Sequence, residues 1–331
     1  MYFRPTALNA PSVYDEAQRT GGTCDIPAGI LGPRAFLRTH EEPFKTDDTA
    51  RTRATFRPTT SGGKTLNDLA GLFAGARDVA LRAGGEILRI EREGCGQVWR
   101  KADDSVLTRA DLAANALICE DLAQLDPDAV VISEEGVTTI EGVPHRFWLV
   151  DPLDGTREFL AGNGEYTVNI ALVEDGVPIF GVVHAPARAI TYLAVRGGGA
   201  WRSGADGTCA IRASASGTLV VVASRSHPGR SLEAFLNALP PHETVAMGSS
   251  LKICAVADGS AQLYPRLGPT SWWDTAAAHA VALEAGATLE TLAGAALRYD
   301  GPTVRNPPFV CASVPRTLWA PAADQITSEQ A

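Results

Sequence analysis

Two aspartates, Asp151 and Asp154, stand three residues apart in the stretch WLVDPLDGTREFL, residues 148–160. Carboxylates that close repel each other unless a cation sits between them. Hard divalent ions such as Mg²⁺ take carboxylates, carbonyls and phosphate oxygens as ligands. An Asx-turn with two solvated aspartates uses the same residues, so the pair gains meaning only from its company. Three other segments supply that company: Asp111 after Thr108, Glu134 after the apolar run 130–132, and Asp274 in Trp272-Trp273-Asp274. Each has a local explanation. Asp111 stands three after Thr108, as in a capping box with Asp in place of Glu or Gln. Adjacent acids at a strand end, such as Glu134 and Glu135, are usually solvated. Asp274 falls in the first turn of an expected helix, where an acid suits the helix dipole. Taken jointly, carboxylates at the strand ends and helix starts of four separate segments point to shared metal binding.

The elements that must position these acids follow from periodicity. The apolar run 147–150 predicts a buried strand that stops at Asp151, because Pro152 cannot donate to a ladder and Gly155 permits a turn. Upstream, Leu69, Phe73, Ala76, Ala80, Ala83, Ile87 and Ile90 recur at steps of four and three, the stripe of a long amphipathic helix with Thr65 or Asn67 as its cap. A second helix runs from Thr108 to about Leu125, and 130–132 is a short strand. Downstream, 166–174, 178–184, 190–195 and 200–201 read as an antiparallel meander punctuated by Asp-Gly and Pro-Ala turns. Next come a short strand and linker (209–216), a strand at 219–223, a helix near 232–239 and a strand-to-helix turn at 245–250. A segment at 262–266 follows, then a helix at 271–285 ended by Gly286, and a strand at 309–312 that closes the sheet. This order predicts an α/β (α+β) protein of two helix-covered sheets.

Bulk composition narrows the function classes. The 331 residues are 45% hydrophobic and 20% charged, with net charge −9, enough for one large domain or two lobes. Residues 1–64 hold nine Lys/Arg against seven Asp/Glu, leaving 20 against 31 for the rest. Such an acidic body is a poor nucleic-acid binder, and it admits an anionic substrate only where bound cations reverse the local field. Residues 1–64, with Arg51, Arg53 and Arg57, read as a poorly ordered extension. Residues 65–215 are expected to form an α+β lobe carrying the carboxylates, and 216–331 an α/β lobe contributing Asp274 and nucleotide-binding residues. Six cysteines without a Cys-x-x-Cys pair argue for reduced thiols rather than zinc or disulfides. With no bilayer-length apolar run and no basic-then-apolar leader, the expected location is the cytoplasm, with peripheral contact at the inner membrane still compatible.

In order, KADDSVLTRADLAA (101–114), WLVDPLDGTREF (148–159), NGEYTVNIAL (163–172), SRSH (224–227) and GSSLKICAVADGSAQLYPRLGPTSWWDTAA (248–277) resemble the inositol-monophosphatase-like family of metal-dependent, lithium-sensitive phosphatases. The resemblance covers about residues 65–315. Within the family it is strongest to the 3′(2′),5′-bisphosphate nucleotidases of the CysQ type. It implies a layered αβαβα sandwich of the inositol monophosphatase and fructose-bisphosphatase type, with the site between two lobes. It also implies two to three Mg²⁺ ions. One would take Glu134, Asp151 and the Leu153 carbonyl, a second Asp151, Asp154 and Asp274, and a weaker third would sit near Glu134 and Asp111. Paired metals of this kind clamp the attacking and leaving oxygens of an in-line displacement. Asp111 and Thr156, with Glu134, would activate the attacking water, and Gly155 and Thr156 would cradle the phosphate beside Arg157.

His227, Ser249, Lys252 and Arg266 resemble the residues with which the nucleotidases grip adenosine and its 5′-phosphate, alongside Asp274. Arg157 stands where Lys is usual, and Val106-Leu107 where Pro-Val is usual. The activity this implies is Mg²⁺-dependent hydrolysis of adenosine 3′,5′-bisphosphate to AMP and phosphate, serving sulfate assimilation. The alternatives are an inositol or sugar phosphatase, and a catalytically silent module that binds metal and nucleotide. The expected partner is a small nucleotide bisphosphate, with oligomeric state open between monomer and homodimer.

Overall fold

A computed structural model describes residues 66–94, 98–100, 106–136, 142–225 and 229–330. The 1–64 extension and His227 lie outside the described residues. Two helices open the body, α1 (Leu66–Arg92) and α2 (Arg109–Leu125), flanking a two-stranded ribbon of β1 (Val98–Arg100) and β2 (Val106–Thr108). A seven-stranded sheet runs in chain order from β3 (Val130–Ser133) through β4 (Arg146–Asp154), β5 (Thr167–Glu174), β6 (Val177–Ala185), β7 (Ile190–Val195), β8 (Gly199–Gly204) and β9 (Gly207–Ile211). β3 is parallel to β4, and the remaining pairs are antiparallel. The short helix α3 (Thr156–Leu160) follows β4.

The second half supplies β10 (Val220–Ser224), α4 (Arg230–Asn237), β11 (Glu243–Met247), α5 (Leu251–Ala257), β12 (Leu263–Arg266), α6 (Ala276–Ala285), β13 (Thr288–Thr291), β14 (Phe309–Ala312) and α7 (Arg316–Gln330). Its five-stranded sheet has the order β11-β10-β12-β14-β13.

Strand alternation explains the layers, because successive side chains point to opposite faces. Trp148 and Val150 pack among α1 and α2, whereas Phe147 and Leu149 join α5 and α6 on the other face. In the second sheet Val222 and Cys311 face that same middle layer, while Val221 and Val310 meet Phe235 of α4 and Trp319 of α7. The result is helix, sheet, helix, sheet, helix, as the resemblance implied. α6 lies close against the first sheet because its contacts are small. A Cβ on Gly181 would come within 2.2 Å of the Ala277 carbonyl oxygen, so only glycine permits this approach.

Three local expectations need correction. β4 does not stop at Asp151 but continues to Asp154 through a shift of register between the two aspartates. A bulge of this kind accommodates a proline that cannot donate to the ladder. The helix expected over 271–285 begins at Ala276. Ser271 is instead held in a bridge to Arg305, and its carbonyl accepts from Asn306 Nδ2 at 2.6 Å. The strand at 309–312 is interior, and the edge belongs to β13, whose four residues are too few to show a period.

Candidate active site

The C-terminal end of β4 brings Asp151, Leu153 and Asp154 to the mouth of a cavity of about 250 Å³ between the two sheets. Gly155 (φ +92°) turns the chain there, a conformation that glycine adopts without strain, and α3 begins at Thr156. β3, parallel to β4, ends beside it, so Glu134 follows directly and its N–H donates to the Val150 carbonyl at 3.1 Å. Asp274 arrives from the far side of the cleft, on the turn before α6. It therefore stands just outside the helix rather than in its first turn, and its Oδ2 accepts from the Ser271 N–H at 2.7 Å.

Glu134, Asp151 and Asp274 each place a carboxylate oxygen so that all three oxygens lie within 4.8 Å of one another. Asp151 is 1% exposed. Burial, followed by the charges of Glu134, Asp154, Asp274 and Asp111, pushes its carboxyl well above the usual carboxylate range. Burial together with Asp154 and Glu134 pushes Asp274 up to about 8. Asp154 stands beside the trio, and its Oδ2 accepts from the Ser250 N–H (2.6 Å) and Ser250 Oγ (2.9 Å). Burial raises its carboxyl too, against the pull of Lys252 and the Ser250 bonds. Acids crowded so that each opposes its neighbours' ionisation make a donor set that a divalent cation relieves. The residues fit Mg²⁺: hard oxygen donors on rigid elements, with the Leu153 carbonyl at the same cavity wall.

Asp111 sits behind this group rather than in the cavity wall. Thr108 caps α2 in a complete capping box: its Oγ1 accepts from the Ala110 N–H at 3.1 Å and its N–H donates to Asp111 Oδ2 at 2.7 Å, and Oγ1 also donates to that oxygen at 2.5 Å. The other oxygen, Oδ1, accepts from Thr156 Oγ1 at 3.1 Å. The helix cap and the chain to the cleft thus share one carboxylate. Burial raises the Asp111 carboxyl, the Thr108 and Thr156 bonds lower it, and Glu134's charge adds to the rise.

Arg157, Ser249, Lys252 and Arg266 line the same cavity. Lys252 is 6% exposed and donates from Nζ to the Ser249 carbonyl at 2.5 Å, lying 5.5 Å from the centroid of the Tyr264 ring. Burial pushes its ammonium down to about 8, although Asp154 opposes the fall. Arg266 donates from Nη2 to the Pro269 carbonyl at 2.6 Å, while its Nε is buried without a partner among the described residues. Sequence reasoning did not single out Glu158, Tyr264 or Thr270, which also line the cavity. Glu158, three residues after Gly155, was within reach of a helical-spacing argument; Tyr264 and Thr270 arrive only through tertiary packing.

A layered fold with an acid cluster at a strand-end cleft defines a phosphatase class, and the inositol monophosphatase family model matches residues 68–328. The chain belongs to the inositol monophosphatase family. It is 50% identical over 202 residues to the 3′(2′),5′-bisphosphate nucleotidase CysQ of Salmonella typhimurium, a match covering 60% of this chain and 82% of that protein. To the nucleotidase of the same name from Escherichia coli K12 it is 49% identical over 204 residues, covering 61% and 82%. Among solved structures, CysQ from Bacteroides thetaiotaomicron superposes with a TM-score of 0.63 at 36% identity, covering 73% of this chain and 97% of that one. No helix among the described residues is long and apolar enough to cross a membrane.

Proposed function

We propose that this chain is a Mg²⁺-dependent 3′(2′),5′-bisphosphate nucleotidase that hydrolyses adenosine 3′,5′-bisphosphate to AMP and phosphate. The observation that carries the reading is that one cavity is lined both by four carboxylates, Glu134, Asp151, Asp154 and Asp274, and by the cations Lys252 and Arg266. A substrate carrying two phosphates suits such a cavity: one group goes to the carboxylates, where metals belong, and the other to the cations. The buried, unpartnered Arg266 Nε supports an anion there, since a planar guanidinium presents its donors to phosphate in a fixed fork. The likeness to proteins named as bisphosphate nucleotidases agrees.

Glu134, Asp151, Asp154, Asp274 and the Leu153 carbonyl would hold the magnesium ions. When bound, these would neutralise the phosphoryl oxygens and polarise the transferred group. The chain's own work is positional. Thr156 Oγ1 donates to Asp111 Oδ1, leaving its lone pairs to accept a hydrogen bond from the attacking water. The proton of that water then passes by way of Thr156 Oγ1 to Asp111 Oδ1. The capping bonds from Thr108 hold the other Asp111 oxygen still, so the acceptor is fixed before substrate arrives. Lys252, Arg266 and the Ser249–Ser250 turn would orient the nucleotide.

The test is phosphate release from adenosine 3′,5′-bisphosphate and from inositol 1-phosphate, each with and without Mg²⁺. The reading expects metal-dependent turnover with strong preference for the bisphosphate. Equal or greater activity on inositol 1-phosphate would move the assignment to a polyol phosphatase, and absence of turnover on both would contradict it.

A further inference from the structure

The stretch NGEYTVNIAL has no part in the chemistry above, yet three of its polar side chains form a row. Thr167 and Asn169 alternate on β5, so strand geometry places them on one face, and Glu165 precedes them in the loop before β5. That face meets the turn leading from β11 into α5. Glu165 Oε2 accepts from the Gly248 N–H at 2.7 Å, Thr167 Oγ1 lies 3.2 Å from Ser249 Oγ, and Asn169 Nδ2 donates to Ser250 Oγ at 2.9 Å. Three consecutive residues of one lobe thus rest on three alternate residues of the other.

The turn needs holding. Ser249 has φ +47°, the left-handed region that a residue with a Cβ enters only at a cost in backbone strain. Glu165 is the most heavily bonded member of the row. Besides Gly248, it accepts from Arg225 Nε (3.0 Å) and Nη2 (3.0 Å), which grip it at both oxygens, and from Arg188 Nη2 (3.0 Å). Arg225 in turn donates from Nη2 to the Ala246 carbonyl at 2.7 Å. One carboxylate therefore ties the loop before β5 to the ends of both β10 and β11. Burial opposes its ionisation, but Arg225, the Gly248 N–H and Arg188 overcome that and hold the carboxyl below the usual range.

We infer that Glu165 is a positioning residue that, through Arg225 and the Gly248 N–H, holds the strained Ser249 turn in register with the acid cluster, and so sets affinity for the nucleotide end of the substrate. The substrate consequence rests on the function proposed above; the positional claim does not.

Two measurements on Glu165→Gln separate these. Amide hydrogen exchange of the peptide spanning 247–254 should be at least tenfold faster than in wild type, with exchange in α2 unchanged. Arg225→Met should show the same change to a smaller degree, because the Gly248 bond survives. Kinetically, KM for adenosine 3′,5′-bisphosphate should rise about tenfold or more, with kcat changing far less. On p-nitrophenyl phosphate, which carries no nucleotide, kcat/KM should change by no more than about threefold. Unchanged exchange over 247–254 would overturn the positional claim. Equal losses on the two substrates, carried in kcat, would overturn the assignment of its effect to the nucleotide end. Should wild type itself ignore the bisphosphate, the proposed function fails while the exchange result still decides the role of Glu165.

Discussion

Two strand-to-helix turns line the cleft, and they solve the same problem differently. After β4 the chain turns through Gly155 at φ +92°, and after β11 it turns through Ser249 at φ +47°. The first turn has more support of its own: glycine accepts the conformation, and Leu153 N–H donates to Asp151 Oδ1 at 3.1 Å within the turn itself, with Ser250 holding Asp154 from outside. The second borrows its stability. Thr167 meets the Ser249 hydroxyl and Glu165 holds the preceding N–H, both from about eighty residues away, beside the local bond from Lys252 to the Ser249 carbonyl. A turn built from local signals holds its shape when its neighbours change, whereas one held from outside reports every change in the contacts around it.

Substitutions at the two turns should therefore fail in different ways. The largest effect belongs to the first. Asp151→Asn should lower kcat about a thousandfold or more, about 4 kcal/mol of barrier, by removing the proposed central metal ligand. Its melting temperature in metal-free buffer should equal or exceed that of wild type, because one member of a mutually repelling buried group becomes neutral. Activity assays beside calorimetry check both halves, and a substantial fall in melting temperature would break the contrast.

Lys252→Met comes next. Loss of a charged hydrogen bond worth roughly 1.5–3 kcal/mol should lower kcat/KM on the bisphosphate by about 10–150-fold. Steady-state kinetics should place this at least fivefold beyond the loss on p-nitrophenyl phosphate.

Smaller still is the effect at Ser249. Ser249→Ala keeps the strain and discards the bond to Thr167, and should cost about 1–2 kcal/mol in denaturant unfolding. Ser249→Gly discards the same bond but relieves the backbone, so it should cost about 1 kcal/mol less than the alanine variant. Equal costs would mean the turn is not strained.

The smallest effect is in the pH profile. Glu165's folded carboxyl lies below its ordinary 4.5, so the stability it contributes is present above that value and lost as pH falls through the folded value. The difference in melting temperature between wild type and Glu165→Gln should accordingly shrink as pH falls below 4.5. A constant difference would show that the charge does not matter.

The contrast also explains what was legible in the sequence. The β4 turn announced itself, because Pro152, Gly155 and the paired aspartates carry their meaning within six residues. Thr108 and Asp111 likewise specify a capping box locally. What stayed hidden was long-range. That β4 runs on past Pro152 depends on its pairing with β5. Ser271 is held by Arg305 and Asn306, more than thirty residues away. Thr167 and Asn169 read as part of an ordinary alternating strand, and Glu165 as a residue before it, until their partner turn, about eighty residues on, is in place. Alternation reveals a face but not what lies opposite it.

The claim that the rest depends on is convergence of Glu134, Asp151 and Asp274 on bound divalent ions. Anomalous diffraction from crystals soaked in Mn²⁺, a close stand-in for Mg²⁺, tests it without reference to activity. Strong peaks in contact with Asp151 and with Glu134 or Asp274 are expected. A fully soaked crystal with no peak within ligand distance of Asp151 would contradict it.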